Sequence, residues 1–133
     1  MKTLIMLIGR ASMGKTSAIR ATAGKMGVDL PEKESDFCDH IAWKGEQVGF
    51  ASMGDPGSSQ EESLARLMQK GCEVIVGACR TRGNTTNTAM DLARKFGYTI
   101  IWTTPFNLIS LKEELNDIYS DAVIRVIETV IAK

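Results

Sequence analysis

Apolar and polar positions divide the chain into two kinds of segment. Three short runs are almost wholly apolar: residues 3–8, 73–78 and 98–103. Such runs are typical of strands that are buried on both faces of a sheet. Two further runs, residues 40–44 and 47–53, flank Gly45-Glu46 and predict a β-hairpin. We therefore expect five strands in a mostly parallel sheet, with the hairpin adding one antiparallel strand at an edge.

Segments of helical composition lie between the predicted strands: residues 15–26, 60–70, 89–96 and a long final helix after Ser110. The first three are expected to end at glycines: Gly27, Gly71 and Gly97. Ser59 with Glu62, and Ser110 with Glu113, predict capping boxes. The final helix would bury one apolar stripe: Leu111, Leu115, Ile118, Ala122, Val126 and Val130. Residues 28–38 are polar and predict a loop or a short irregular helix.

The alternation of strands and helices predicts an α/β fold with three layers, in which helices cover both faces of the sheet. A chain of 133 residues fits one domain, residues 1–133, and we expect its site at the carboxyl ends of the parallel strands. With 44% apolar and 24% charged residues, intrinsic disorder is excluded.

The charge and the cysteine content restrict the expected binding partners and the expected cellular compartment. Sixteen basic and sixteen acidic side chains give zero net charge, so no general attraction to nucleic acid or to an anionic membrane is indicated. No stretch approaches the roughly 18 apolar residues of a membrane span. Three cysteines are a poor disulfide framework, which favours the reducing cytoplasm.

Residues 9–16, Gly-Arg-Ala-Ser-Met-Gly-Lys-Thr, match the pattern G-x-x-x-x-G-K-[ST] between a predicted strand and a predicted helix. In this pattern glycines let the backbone approach phosphate oxygens, and the exposed amides of the helix N-terminus supply positive potential. Lys15 would reach the β- and γ-phosphates, and the Thr16 hydroxyl would ligate Mg²⁺. The candidate nucleotide-binding residues are accordingly Gly9, Ser12, Met13, Gly14, Lys15, Thr16 and Ser17.

This motif resembles the Walker A motif of the P-loop NTPase superfamily. The resemblance in motifs covers residues 3 to about 62, and it implies binding of a nucleoside triphosphate with Mg²⁺. Asp55 follows a predicted strand, where the superfamily's Walker B aspartate holds Mg²⁺ directly or through water. Since Asp-Pro-Gly is also ordinary turn chemistry, a turn role for Asp55 stays open. The acids from Asp29 to Asp39 compete for the Mg²⁺ role, but no predicted strand precedes them.

Residues 55–62 resemble the switch II segment of small GTPases, with Gly57 one residue early and Gln60 one residue late. Gln60 would orient an attacking water or simply begin a helix, and Glu61 is the substitute base. The guanine motif Asn-Lys-x-Asp of those GTPases is replaced by Cys79-Arg80-Thr81-Arg82, so ATP is expected rather than GTP. Phe106 follows the last predicted strand, where many relatives contact the base, although a packed loop role is equally open.

Arg80 and Arg82 follow a buried predicted strand on the same side of the sheet as the phosphate loop. Their guanidinium groups would stabilise charge on a transferring phosphoryl group or bind a phosphorylated acceptor. The alternative is a solvated loop with ion pairs to the acidic segment 28–39.

Three functions are consistent with these residues. The first is a domain that hydrolyses ATP or switches on it. The second is a small phosphotransferase similar to kinases that share this loop, in which Asp55 would deprotonate an acceptor hydroxyl. The third is a nucleotide-binding regulator without meaningful catalysis, since no glutamate directly follows Asp55. Such a regulator would act as a subunit of a protein partner's assembly or as a homo-oligomer.

Overall fold

The computed structural model describes residues 1–10, 13–32, 35–54, 59–81 and 84–133. These residues form five strands, four α-helices and one short 3-10 helix. In chain order the elements are β1 (Thr3–Ile8), α1 (Lys15–Lys25), β2 (Cys38–Trp43), β3 (Glu46–Ala51), α2 (Gln60–Gln69), β4 (Val74–Cys79), α3 (Thr85–Phe96), β5 (Thr99–Thr103), the 3-10 helix Ile109–Leu111 and α4 (Lys112–Ile131).

All five strands belong to one sheet with the order β2-β3-β4-β1-β5. β1 pairs in parallel with β4 and β5, and β3 pairs in parallel with β4. β2 is antiparallel to β3 at one edge, which confirms the predicted arrangement of an α/β fold with one antiparallel pair. Because the parallel strands all end at the same edge of the sheet, the chain that enters β2 also lies at that edge.

Side chains of β1 alternate between two apolar cores on opposite faces of the sheet. Ile5 and Leu7 belong to the core under α1 and α4, whereas Leu4 and Met6 belong to the core under α2 and α3. All four are at most 2% exposed. The continuous apolar run at the start of the chain is therefore explained by burial on both faces, and the helices and sheet form three layers.

Three helices are followed by the predicted glycines, and the hairpin turns close to the predicted position. Gly27, Gly71 and Gly97 have φ of 99°, 79° and 78° after their helices, in the left-handed region that glycine adopts without steric cost. The hairpin turns at Lys44 and Gly45, one residue earlier than predicted. Their φ values of 50° and 86° are typical of a two-residue hairpin turn whose twist matches the strands.

Two predicted capping boxes and one predicted helix start were wrong. Ser59 caps α2 and Leu111 caps α4, and neither helix start has a side-chain capping hydrogen bond, so the two expected capping boxes do not form. Helix α3 begins at Thr85, four residues before the predicted start at 89. Threonine has a low helix propensity, but burial of Thr85 in the protein outweighs that local preference.

The predicted apolar stripe of α4 was also wrong for most of its residues. Leu111, Ile118 and Val126 are 45%, 57% and 37% exposed, and Val130 alone of the predicted set is fully buried. The helix instead buries Tyr119, Ser120, Val123, Ile127 and Val130. Both sets repeat at helical spacing, so periodicity could not choose between them.

Residues 28–37 contain no helix within their described part, which leaves the loop interpretation of that segment. Across the described ranges, none of the helices combines the length and the apolar character that crossing a membrane requires.

Candidate functional site

A cleft of about 480 Å³ opens at the edge of the sheet where the parallel strands end. Its described lining comes from three parts of the chain. The loop wall consists of Met13, Gly14, Lys15, Thr16 and Ser17. The strand wall consists of Asp36, Ser52 and Gly54. The helix wall consists of Phe106, Asn107, Leu108, Ile109, Lys112 and Asn116.

The loop wall presents the N-terminus of α1 to the cleft. Gly14 is the N-cap of this helix, with φ of 84°, a conformation that a residue with a side chain rarely adopts. The first turn of α1 contains no acidic side chain. The partial positive charge of the helix N-terminus is therefore not offset by a carboxylate of its own first turn, and it favours an anionic ligand.

Lys15 is the most deeply placed side chain of the loop wall, at 7% exposure. Its ammonium group donates to the carbonyl oxygen of Gly9, and it donates to those of Arg10 and Cys79 at 3.3 and 3.2 Å. Carbonyl dipoles at the ends of β1 and β4 thus hold a cation at the cleft. A buried ammonium group is costly unless such hydrogen bonds satisfy it, so the loop is built around this charge.

The strand wall joins two segments that are distant in sequence. Ser52 is 2% exposed and donates from Oγ to Oδ1 of Asp36 at 3.1 Å. The same hydroxyl accepts a hydrogen bond from the N–H of Phe37 at 2.8 Å. Asp36 is exposed to solvent, so its carboxylate is fixed on one side by Ser52 and accessible from the cleft.

Gly54 packs against the end of β4 so closely that a side chain does not fit. A Cβ atom at this position would lie 2.8 Å from the carbonyl carbon of Ala78 and 2.9 Å from its oxygen and Cβ. Since backbone atoms cannot rotate away as a flexible side chain can, this contact requires glycine. The chain that leads from β3 towards Asp55 is therefore held against the strand next to β1.

The helix wall is more exposed and partly apolar. Phe106 is 52% exposed, and its ring meets that of Tyr119 edge to face, with 5.7 Å between the centroids. Ile109 is 89% exposed. Lys112 and Asn116 lie one helical turn apart at the start of α4 and add a cation and an amide to this wall. An exposed aromatic ring beside a cation and an amide suits a planar group of a ligand whose edges form hydrogen bonds.

The structure brings six of the predicted site residues to one cleft: Met13, Gly14, Lys15, Thr16, Ser17 and Phe106. Gly9 lies just behind them at the end of β1, where its N–H donates to the oxygen of Cys79 at 3.2 Å. Three predicted site residues lie outside the described residues: Ser12, Asp55 and Arg82.

Gln60 and Arg80 are described but do not line the cleft. Gln60 is the first residue of α2, is 3% exposed, and donates from Nε2 to the oxygen of Ala78 at 2.8 Å. Arg80 follows β4, and its backbone is held by the hydroxyls of Thr85 and Thr86 at 3.0 and 2.9 Å. The structure thus gives Gln60 the position expected of a helix start.

Sequence reasoning missed Ser52 as a site residue and most of the helix wall. Ser52 interrupts an apolar strand, and this polar residue at the strand's end was the available signal. Asp36 falls among the acids from Asp29 to Asp39 that compete with Asp55 for Mg²⁺, but nothing in the sequence singles it out, because no strand precedes it. Lys112 and Asn116 share a helix face by their spacing, but nothing in that spacing indicates a cleft.

Cys79 contributes its backbone to the site and not a reactive thiol. Burial raises the pKa of this thiol, although a hydrogen bond with Thr86 and the nearby Lys15 charge oppose the shift. At neutral pH it is a neutral thiol, which is a poor nucleophile.

The described residues include no group of three or more histidine, cysteine, aspartate or glutamate side chains that could hold a metal ion by themselves.

No protein-family model and no curated protein matches this sequence significantly. The fold and the cleft therefore carry the functional argument.

Proposed function

We propose that this chain is a P-loop protein that binds Mg²⁺-ATP in the cleft and hydrolyses ATP or changes state with it. The observation that carries the proposal is the position of Lys15. Its ammonium group is buried at the N-terminus of α1, in the loop whose sequence matches the phosphate-binding pattern. A fixed cation beside the N-terminus of a helix is the arrangement that a polyphosphate requires.

Each part of the loop wall has a role in this proposal. Backbone amides at the start of α1 donate to phosphate oxygens. The Lys15 ammonium group gives up its hydrogen bonds to carbonyl oxygens and donates to the terminal phosphates instead. Thr16 lines the same cleft, and its hydroxyl is an oxygen ligand of the kind that Mg²⁺ prefers. Asp55 remains the proposed Walker B carboxylate. When bound, Mg²⁺ would neutralise charge on the phosphates.

The helix wall supports a nucleotide base as the second part of the ligand. Phe106 offers an exposed aromatic ring, and Asn107 and Asn116 offer amide groups to the same cleft. The segment after β4, Cys79-Arg80-Thr81, lacks the acid of the guanine motif. We therefore propose ATP as the preferred nucleotide.

In the proposed reaction Arg80 and Arg82 stabilise negative charge that develops on the γ-phosphoryl group. The hydrogen bond between Gln60 and Ala78 favours a structural role for Gln60 over activation of water. Glu61, which is exposed in the first turn of α2, is then the substitute base.

Phosphate release from ATP and GTP, measured beside binding of each nucleotide by calorimetry, tests this function. We expect ATP to bind and phosphate to be released. Binding without release would leave the nucleotide-binding regulator, and release that depends on an added hydroxyl acceptor would favour the phosphotransferase. A strong preference for GTP would contradict the assignment of the base.

A further inference from the structure

The pairing of β2 with β3 brings an acidic residue to the cleft. The last ladder pair is Cys38 with Ala51. One step beyond it, the N–H of Ser52 donates to the oxygen of Phe37 at 3.0 Å, so the pairing continues towards the edge where β3 ends. Because β2 is antiparallel to β3, the residue that precedes Phe37 emerges at the cleft. That residue is Asp36.

Ser52 fixes the Asp36 carboxylate rather than merely filling space. Its hydroxyl accepts from the N–H of Phe37 at 2.8 Å and donates to Oδ1 of Asp36 at 3.1 Å. The next acceptor for the same proton, the oxygen of Phe37, is further away at 3.4 Å. Since Ser52 is 2% exposed, water has little access to its hydroxyl, although Asp36 itself is exposed. The carboxylate is thus held by a buried hydroxyl on one side and accessible on the other.

A carboxylate in this position conflicts with a polyphosphate unless a cation lies between them. Asp36 shares the cleft with Lys15 and with the N-terminus of α1, which are the groups that attract phosphate. An aspartate beside a bound triphosphate would repel it. Mg²⁺ resolves the conflict, because it prefers oxygen ligands and commonly joins one or two carboxylates to substrate phosphates. Thr16, a hydroxyl ligand of the type required, lines the same cleft.

We propose that Asp36 is a carboxylate of the divalent-cation site in this cleft, ligating Mg²⁺ directly or through water, and that Ser52 is its positioning residue. This inference rests on the proposed binding of a nucleotide. It adds a ligand from the segment before β2 to Thr16, which lines the same cleft.

The test measures ATP affinity by calorimetry with excess Mg²⁺ and again with a chelator in place of Mg²⁺. In D36N the amide oxygen still accepts from Ser52, so the fold is kept while the charge is removed. We expect the gain in ATP affinity that Mg²⁺ provides to fall by about tenfold or more, as for loss of a metal-site carboxylate. Without metal, ATP affinity should stay equal or rise, because a repulsive charge has been removed. D29N, an exposed acid of the same segment, is the matched control and should behave as wild type.

Mn²⁺ provides a second readout that does not depend on turnover. The electron paramagnetic resonance signal of Mn²⁺ in the complex with ADP should report weaker Mn²⁺ binding in D36N than in D29N. S52A should lose part of the same Mg²⁺-dependent gain, and S52A combined with D36N should add little to D36N alone. If S52A fails to fold, D36N decides the question by itself.

The outcomes separate the two proposals. If wild type binds ATP and D36N keeps the full Mg²⁺-dependent gain, the role of Asp36 is refuted and the proposed function stands. If wild type binds no ATP, both are refuted. An equal loss of ATP affinity with and without metal would also refute the metal role, since it would indicate a change in the cleft itself.

Discussion

The loop wall and the helix wall of the cleft are built in opposite ways. Lys15 on the loop wall is 7% exposed and bound by the carbonyl oxygens of Gly9 and Arg10, which follow β1, and of Cys79 at the end of β4. On the helix wall, Phe106 and Ile109 are 52% and 89% exposed. One wall is fixed by the backbone of the sheet, whereas the other presents side chains to solvent.

This difference indicates how the two walls would act on a ligand. Donors that are already in place interact with charge at little cost of reorganisation. Exposed apolar side chains gain affinity through the surface that they bury on binding, and that gain is modest. We therefore expect large effects from changes near the loop wall and the strand ends, and small effects from changes on the helix wall.

The largest effect on turnover is expected for Arg80, beyond the end of β4. R80A should lower ATP turnover by about 10²–10³-fold with little change in ATP affinity, because the guanidinium acts on charge that develops during reaction. Steady-state phosphate release beside calorimetry measures both quantities. R94A, an exposed arginine of α3, is the control. R82A should be milder than R80A, since Arg82 lies further from the strand end.

A different result for R80A would favour one of the other two proposed functions. If basal hydrolysis survives but transfer to a hydroxyl or phosphorylated acceptor disappears, the phosphotransferase alternative is favoured. If wild type shows neither hydrolysis nor transfer, the nucleotide-binding regulator remains.

Asp55 should come next in size. D55N is expected to reduce Mg²⁺-dependent turnover by about tenfold or more, since it removes a carboxylate from the metal site. Nucleotide binding without metal should change far less. Assays of turnover against Mg²⁺ concentration check this, and activity equal to wild type would return Asp55 to a turn role.

Gly54 tests whether the strand wall is as rigid as the loop wall. G54A places a Cβ atom within 2.9 Å of the Ala78 backbone, and we expect the free energy of unfolding to fall by about 1–3 kcal/mol. Denaturation by urea measures the change. Among the described residues, the new Cβ atom of G24A meets only the flexible end of Leu30, at 3.2 Å, and it lies within a helix, so stability should be unchanged or slightly higher. Equal behaviour of the two variants would contradict the close packing at Gly54.

Phe106 should give the smallest effect. F106A removes an exposed ring that contacts Tyr119, and ATP affinity is expected to fall only about fivefold, roughly 1 kcal/mol. I118A, which removes an exposed apolar side chain of α4 that does not line the cleft, is the control. Calorimetry with ATP measures the change. A loss of ATP affinity of a hundredfold or more in F106A would contradict the expectation that the helix wall contributes less to binding than the loop wall.

The two walls also differ in how far sequence alone predicts them. The loop wall is contiguous in sequence. One pattern in residues 9–16, directly after an apolar run, therefore indicates the turn, the helix start and the lysine charge together. Asp36 and Ser52 are 16 positions apart and meet through strand pairing. Their association depends on the register of β2 and β3, which local patterns do not determine.

Helix α4 shows the same limit within a single element. Its sequence offers two apolar stripes, and the sheet and α1 select the one with Tyr119, Val123 and Ile127. Lys25 of α1 adds ion pairs at 2.8 Å to Asp117 and Asp121 of α4. Which stripe faces the sheet depends on contacts with these other elements, so the residues that α4 directs to the cleft could not be predicted.

Binding of Mg²⁺-ATP to K15A tests the central claim most directly. Calorimetry should show that K15A lowers ATP affinity by at least a hundredfold, because several charge-assisted hydrogen bonds to phosphate are lost together. K25A, which changes a lysine at the other end of α1, should bind as wild type does, and both variants should remain folded by circular dichroism. ATP affinity in folded K15A equal to that of wild type would contradict the account.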